Sequence, residues 1–483
     1  MINLKLIYKI IGSLLFIEAM MLLVCLGVSV YYHEDDLLAF VCSIAISAGT
    51  ALVLRLFARN CDNNLSRRDA YLVVTLTWVV FSLFGTLPFL IGGYLHSFTD
   101  AFFETMSGFT TTGASIIDDV DALPHGILFW RSFTQWIGGL GIVFFTIALL
   151  PSLVGGSVKV FAAEATGPIK TKLHPRLSTN AMWIWVVYLC ITLLCIVSLK
   201  LAGMDFFSSV NYSFTTAATG GFATHSDYSY LTPVVQYIVT FFCFVSGVNF
   251  TMLYITASKR KISTLFNSAE CKFYFFVVVA FTLFIAFELM WKNGYALEPA
   301  LRSSAFHVVS FITTTGLLAD DPAVWPHVTW VVLAVCMFFG ACSGSTSGGF
   351  KCIRCVMLLK IIKNEFRQML HPNAVLPMRV DGTNVPSSKR VTLLAFLSIY
   401  LILCLFCSFS MIAMGIDNTN AITITLSSLG NVGPTLGTEI GPTMSWSELP
   451  VAAKWICSVL MLIGRLEIFS VLVIFTPQFW KEN

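Results

Sequence analysis

Long apolar stretches alternate with short polar ones along the whole chain. Ile7–Tyr32 and Asp36–Ala58 come first, joined by the acidic corner at residues 33–36. A larger unit then recurs four times: a long apolar span, a short apolar segment, a Thr/Gly-rich loop, and a second long span. Its first spans are Asp69–Tyr94, Asn180–Ala202, Phe273–Trp291 and Val391–Gly415. The short segments are Asp100–Ser107, Phe206–Ala217, Pro299–Ser310 and Asn420–Ser428. The second spans are Gly126–Leu150, Thr232–Ile255, Val328–Phe350 and Pro450–Phe475. A helix of about 20 apolar residues crosses the hydrocarbon core. The pattern therefore predicts ten crossings and four half-length re-entrant helices.

The loops set the period. They read Phe109-Thr110-Thr111-Thr112-Gly113-Ala114-Ser115, Phe214-Thr215-Thr216-Ala217-Ala218-Thr219-Gly220-Gly221, Phe311-Ile312-Thr313-Thr314-Thr315-Gly316-Leu317, and Leu429-Gly430-Asn431-Val432-Gly433-Pro434. The pivotal glycines on this reading are Gly113, Gly220, Gly316 and Gly433. Non-helical backbone survives at membrane depth only where protein buries it or water lines it. Glycine admits the positive φ that turns carbonyls to one side. Four such loops about one axis make a ring of oxygens able to replace an ion's hydration shell, as the TVGYG loops of K⁺ channels do. Helix-packing motifs of small residues are the alternative. Four copies between paired spans favour the ring.

Composition narrows the class. Of 483 residues 57% are hydrophobic and 11% charged, against about 25% charged in soluble domains. The net charge of +3 leaves no footprint for nucleic acid. The 14 cysteines lie mostly inside apolar spans, as small hydrophobes. The first span is too long for a signal-peptide core and reads as a retained helix.

Charge predicts the orientation. Residues 33–36, 97–125, 204–230, 292–326 and 416–450 hold 16 acidic residues and only two basic ones, Lys292 and Arg302. The alternate loops carry Arg59, Arg67, Arg68, Lys159, Lys170, Lys172, Arg176, Lys259, Arg260, Lys261 and the basic run from Lys351 to Arg390. By the positive-inside rule both termini are cytoplasmic and the Thr/Gly loops open outward. The acidic mouth concentrates cations, and the run 351–390 can dock a soluble partner or anionic lipid.

Further candidates lie inside the spans. Residues 340–349 hold four glycines and four Ser/Thr, a composition that breaks a helix and suits a movable loop below the ring. Arg465 lies mid-span, and an intramembrane charge is a functional candidate by default. It reads as a barrier facing the pore, with a structural pair to Glu288 as the alternative. Cys352 and Cys355 lack the further ligands of a metal site. His307 reads as a packing residue. A serine protease built on Ser343 or Ser347 with His307 is disfavoured, because Thr346 occupies the centre of Gly344–Gly348.

These segments resemble the Trk/Ktr/HKT superfamily of K⁺ transporters. Ser107-Gly108-Phe109-Thr110-Thr111-Thr112-Gly113-Ala114 looks like its first pore loop. Arg131-Ser132-Phe133-Thr134-Gln135-Trp136-Ile137-Gly138-Gly139-Leu140-Gly141, Gly247-Val248-Asn249-Phe250, Ser343 through Lys351, and Gly464-Arg465-Leu466-Glu467 are similar to its later signatures. The accessory N-terminal hairpin resembles that of the TrkH branch. The resemblance covers essentially the whole chain.

It implies an all-α polytopic membrane protein with four pseudo-symmetric helix–pore helix–filter–helix repeats around one pore. The expected divisions are a hairpin at 1–60 and repeats at 61–155, 156–258, 259–370 and 371–483, with a gating loop at 340–350. It implies K⁺ uptake across the bacterial inner membrane, with ion-coupled K⁺ symport (H⁺ or Na⁺) as the alternative, and no enzyme activity. The K⁺ ligands it implies are the carbonyls of Thr111, Thr112, Ala218, Thr219, Thr314, Thr315, Asn431 and Val432, shaped by Gly113, Gly220, Gly316 and Gly433. Gating falls to Gly344, Ser345, Gly348, Gly349, Lys351 and Arg465. It further implies a homodimer and a cytosolic TrkA-type nucleotide-binding regulatory subunit. K⁺ is the transported ion, and no organic cofactor is expected. No loop is a full TVGYG, so the resemblance implies a less rigid filter.

Overall fold

The computed structural model describes residues 2–59, 65–141, 177–261, 263–437 and 440–481. The basic residues Lys159, Lys170, Lys172 and Arg176 lie outside them. The chain is helical almost throughout, and among the described residues the only strands are Arg379–Val380 and Thr383–Asn384, paired as a small hairpin.

The accessory pair folds as Leu4–Tyr32 and Leu37–Phe57. Gly12 admits their close contact, since a Cβ there would stand 3.0 Å from the Ala51 carbonyl. The first helices of the four units are Arg67–Gly85 (continued by Leu87–Ile91), Leu177–Leu201, Ala269–Asn293 and Ser387–Ala413. All six of these helices carry an apolar stretch long enough to cross a membrane. Leu52, Phe276, Leu283, Leu405 and Phe406 point outward from them, the exterior that a hydrocarbon solvent permits. Apolar packing forms two clusters. One joins the accessory pair to units one and four, and the other joins units two and three.

The four short helices are Phe98–Phe109, Phe206–Ala218, Leu297–Ile312 and Asn418–Gly430. Acidic residues start them. Asp205 caps the second by accepting from the Ser208 amide at 2.9 Å, and Asp417 caps the fourth from the Thr419 amide at 2.9 Å. Asp100 and Glu298 lie in the first turns of the other two. Part of the acidic mouth is thus helix-capping chemistry, placed where the macrodipole favours negative charge.

The second spans differ from expectation. Thr232–Ile255 and Pro450–Phe475 are not continuous helices. Pro233–Ser246 and Phe250–Lys259 meet at 97°, and Val451–Arg465 meets the helical stretch at Phe469–Phe475 at 108°. Val328–Phe350 is helical only over His327–Phe339, and helix resumes at Cys352–Leu370. Gly126–Leu150 is helical over His125–Leu140, and its remainder lies outside the described residues. Instead of ten uninterrupted crossings, the described residues contain six unbroken apolar spans and two bent ones. The breaks have local causes. The Asn249 side chain restarts a helix by accepting from Thr251 N at 2.9 Å. Glu467 and Ile468 both take positive φ, and Glu467 is held there by Arg354 at 2.5 Å.

Candidate functional site

Each short helix ends in the same backbone turn. A left-handed residue follows the helix: Thr111 (φ 54°), Thr219 (54°), Thr314 (57°) and Asn431 (54°). The amide after it donates back across the helix end. Thr112 reaches Ser107 O at 2.9 Å, Gly220 reaches Thr215 O at 2.8 Å, Thr315 reaches Ser310 O at 2.8 Å, and Val432 reaches Ser427 O at 2.9 Å. The next residue is a glycine of positive φ: Gly113 (84°), Gly221 (83°), Gly316 (75°) and Gly433 (102°).

The shared turn geometry corrects the sequence register in the second loop. Gly221, not Gly220, is the counterpart of Gly113, Gly316 and Gly433. The two carbonyls before the pivot are then those of Thr219 and Gly220, and Ala218 belongs to the helix end. The Gly220-Gly221 pair hides this in the sequence, because either glycine can be aligned.

The four turns form a closed ring. A Cβ on Gly113 would lie 2.1 Å from Gly220 O, one on Gly221 1.9 Å from Thr315 O, one on Gly316 2.0 Å from Val432 O, and one on Gly433 2.5 Å from Thr112 O. Real Cβ atoms do not approach that closely. Each pivot must be glycine because the neighbouring loop's carbonyl occupies the space. The helix C-termini converge on this ring, and their dipoles make it favourable for a cation.

The bracing of the ring is unequal. In loops one and three, threonine hydroxyls pair across the turn, Thr110 with Thr112 and Thr313 with Thr315, each at 2.8 Å. The second loop has Gln135 instead, which donates to Gly220 O at 2.8 Å and accepts from Phe222 N at 3.1 Å. The fourth uses Asn431, whose amide donates to the Thr112 hydroxyl at 3.0 Å and Met461 O at 2.9 Å. Behind the first loop Arg131 and Glu104 form a buried pair at 2.8 Å, and Arg131 also reaches Ala223 O in the second loop at 3.2 Å. Arg131 and Gln135 fall inside the signature Arg131–Gly141 without a bracing role assigned to them there, and Glu104 lies outside every signature. The polar side chains inside apolar stretches were the available signal.

On one side of the ring lies a cavity of about 180 Å³, lined in part by all four pivot glycines and by Asp118, Asp227 and Arg131. Two acids of the expected mouth are engaged here. Asp118 accepts from the Ser447 hydroxyl at 2.8 Å, and Asp121 accepts from His225 Nδ1 at 2.9 Å and Ser226 N at 3.0 Å. Partial burial pushes the Asp121 pKa up, but hydrogen bonds from Ser226 and His225 outweigh it and hold the carboxyl below its ordinary value.

On the other side lies the segment 340–351. Gly348 N donates to the Thr314 hydroxyl at 2.7 Å, and the Thr346 hydroxyl donates to Ala217 O at 3.1 Å. A Cβ on Gly348 would meet Gly430 O at 2.3 Å. Gly344 and Gly349 take positive φ, as does Lys351, whose ammonium donates to the Ser347 carbonyl and hydroxyl. The Ser345 hydroxyl donates to Cys342 O at 2.6 Å. Arg465 completes the enclosure. Its guanidinium donates to Thr346 O at 2.7 Å, Gly139 O at 2.6 Å and also Gly138 O. The alternative pair with Glu288 is overturned, since Glu288 bridges Lys292 at 2.8 Å on its own helix. His307 is a buried packing residue, with Nδ1 on Ser303 O at 2.8 Å and Nε2 on Asp320 O at 3.2 Å.

A ring of four glycine-pivoted loops inside an all-α polytopic membrane protein defines a membrane transport protein. The comparisons agree. The sequence model of the TrkH family, described as a cation transport protein, matches residues 38–482. The Trk system potassium uptake protein TrkH of Halomonas elongata is 35% identical, over 99% of this chain and 100% of its own. The Escherichia coli K12 protein of the same name is 35% identical over 99% of both chains, and TrkG of that strain is 32% identical over 98% and 97%. The crystal structure of the potassium transporter TrkH from Vibrio parahaemolyticus matches with a TM-score of 0.89 and 33% identity, over 99% of this chain and 100% of that one. The chain belongs to the TrkH family of cation transport proteins, and these relatives are transporters rather than enzymes.

Proposed function

We propose that this chain takes up K⁺ across the bacterial inner membrane through the four-loop ring. The closed circuit of glycines and carbonyls carries this reading. Fixed carbonyl oxygens substitute for the hydration shell of a cation, and the relatives bear the name of potassium uptake proteins. The ligands proposed are the carbonyls of Thr111, Thr112, Thr219, Gly220, Thr314, Thr315, Asn431 and Val432, with Gly113, Gly221, Gly316 and Gly433 as pivots. The segment 340–350, with Gly344, Ser345, Gly348, Gly349 and Lys351, gates the path beneath the ring, and Arg465 places a fixed positive charge there.

The charge distribution supports cytoplasmic termini and an outward ring. The units at 61–155, 156–258, 259–370 and 371–483 surround one path, with residues 1–60 outside it. A homodimer and a cytosolic TrkA-type subunit complete the proposed system. Expression in a bacterium lacking its own K⁺ uptake, grown at low K⁺ with and without a regulatory subunit, tests the reading. Growth restored by the wild type and lost on Gly113→Ser, with the variant still present in the membrane, is expected. Failure of the wild type to restore growth with the subunit present refutes it.

A further inference from the structure

Glu270 lies at the start of the helix Ala269–Asn293 and is almost fully buried. It touches neither the ring nor Arg465 in any hydrogen bond described above. Its Oε1 accepts from the Ser343 amide at 2.6 Å and from the Ile353 amide at 3.1 Å, and its Oε2 accepts from the Ser343 hydroxyl at 3.1 Å. Ser343 and Ile353 flank the segment that presses on the ring. A single carboxylate therefore ties the entry of that segment to its exit.

Backbone bonds close the neck of the loop, with Phe350 N on Phe338 O at 3.0 Å and Cys352 N on Ala341 O at 2.9 Å. Others tie it to the second unit, with Cys342 N on Gly247 O at 3.0 Å and Phe250 N on Gly344 O at 3.0 Å. Glu270 sits just beyond this neck. Hydrogen bonds to a charged acceptor are stronger than those between neutral groups, and more so away from water.

The position of Glu270 is itself set from the basic segment that follows the loop. Asp381, at the turn of the hairpin Arg379–Asn384, accepts from Ala269 N at 2.8 Å and from the Ser268 hydroxyl at 3.4 Å. It caps the helix one residue before Glu270. The hairpin is also tied to the helix that leaves the loop, since Lys360 Nζ donates to Arg379 O at 2.7 Å. A chain of direct contacts thus runs from an exposed hairpin to both ends of the loop.

We infer that Glu270 is a positioning residue for the loop, holding both of its ends in the arrangement that closes the path, and that Asp381 couples the hairpin to this clamp. The inference rests on the proposed gating role of the loop. When the hairpin moves, the helix start moves with it, and the carboxylate withdraws from Ser343 and Ile353. The loop then loses its side-chain tie between Ser343 and Ile353, while the backbone bonds of the neck remain.

K⁺ flux into proteoliposomes tests this with the full chain carrying Glu270→Gln, Asp381→Asn, a deletion of residues 345–347, or Glu270→Gln together with that deletion. Glutamine keeps the size of the side chain but offers one neutral acceptor in place of a carboxylate. Loss of a bond to a charged acceptor predicts roughly a tenfold gain in basal flux for Glu270→Gln, a smaller gain for Asp381→Asn, and no further gain when Glu270→Gln is added to the deletion. Hydrogen exchange at the Ser343 and Ile353 amides should speed up in both single variants. Asp381→Asn alters an exposed residue, so it reports even where the buried change impairs folding. If the deletion raises flux while both single variants keep wild-type flux and exchange, the clamp is refuted and the gate stands. A gain from Glu270→Gln that multiplies with the deletion also refutes it. Wild-type flux in the deletion variant removes the gate itself, and the clamp with it.

Discussion

Gly433 packs so closely on Thr112 that an added Cβ would stand 2.5 Å from the Thr112 carbonyl oxygen. The last loop of the chain thereby closes on the first, across more than three hundred positions of sequence. Three other contacts of the same kind complete the circuit, and every pivot has its φ in the region that excludes ordinary side chains. Steric space and backbone conformation impose glycine together at each of the four sites.

The register of the second loop can be tested by two neighbouring substitutions. Gly221→Ala forces a Cβ to within 1.9 Å of Thr315 O, whereas Gly220→Ala meets the Gln135 side chain at 2.5 Å. A left-handed alanine costs about 1–2 kcal/mol before any clash. Gly221→Ala should reduce K⁺ flux at least ~10-fold, and no change at Gln135 should restore it. Gly220→Ala should recover part of its lost flux when Gln135→Ala makes room. Equal recovery of both would return the pivot to Gly220.

Gln135 should influence selectivity more than folding. It both donates to Gly220 O and accepts from Phe222 N. Gln135→Met removes both bonds at similar volume, while Gln135→Glu retains only the acceptor. A lost buried bond costs about 1–3 kcal/mol, and 1.4 kcal/mol is about one decade. The K⁺ to Na⁺ flux ratio should fall by up to ~10-fold in both variants. An unchanged ratio in both would limit Gln135 to packing.

Arg465 should act as a barrier. Its charge is permanent, and it sits on carbonyls of the first unit and the loop at once. Arg465→Ala should raise K⁺ flux per folded molecule by roughly 3- to 10-fold, a value reduced from the bare Coulomb term by water in the path. Arg465→Lys should fall between, because a point charge cannot span the same carbonyls. Flux and melting temperature measured together decide the matter. Lower flux with a strongly lowered melting temperature would make Arg465 a structural clasp only.

The Asp121–His225 contact has a pH signature. The folded-state pKa of Asp121 is below its ordinary value. Its contribution is therefore fully present above the ordinary carboxylate range and is lost as pH falls through the depressed value. The pair is water-exposed, so the contribution is under ~1 kcal/mol. Acidification through the depressed value should lower the protection factor of the Ser226 amide, taken relative to its intrinsic exchange rate at each pH, and Asp121→Asn should remove that dependence. The same acid response in the variant would place its origin elsewhere.

Hydropathy alone determined that this is a polytopic helical membrane protein, because hydrocarbon requires long apolar helices wherever the chain meets it. Recurrence of Thr/Gly loops located the four turns, since each needs residues tolerant of left-handed backbone. Arg465 stood out because a charge inside an apolar span is costly to keep. The tertiary structure decided the rest. Whether Gly220 or Gly221 is the pivot depends on where Thr315 O lies, about a hundred residues away. The breaks at Gly247 and beyond Arg465 fall in spans whose hydropathy is continuous, because hydropathy records preference for lipid and not the direction of the helix axis. Glu270 and Gln135 stand among other polar residues at the polar ends of apolar spans, and only the approach of distant backbone gives them donors and acceptors to serve.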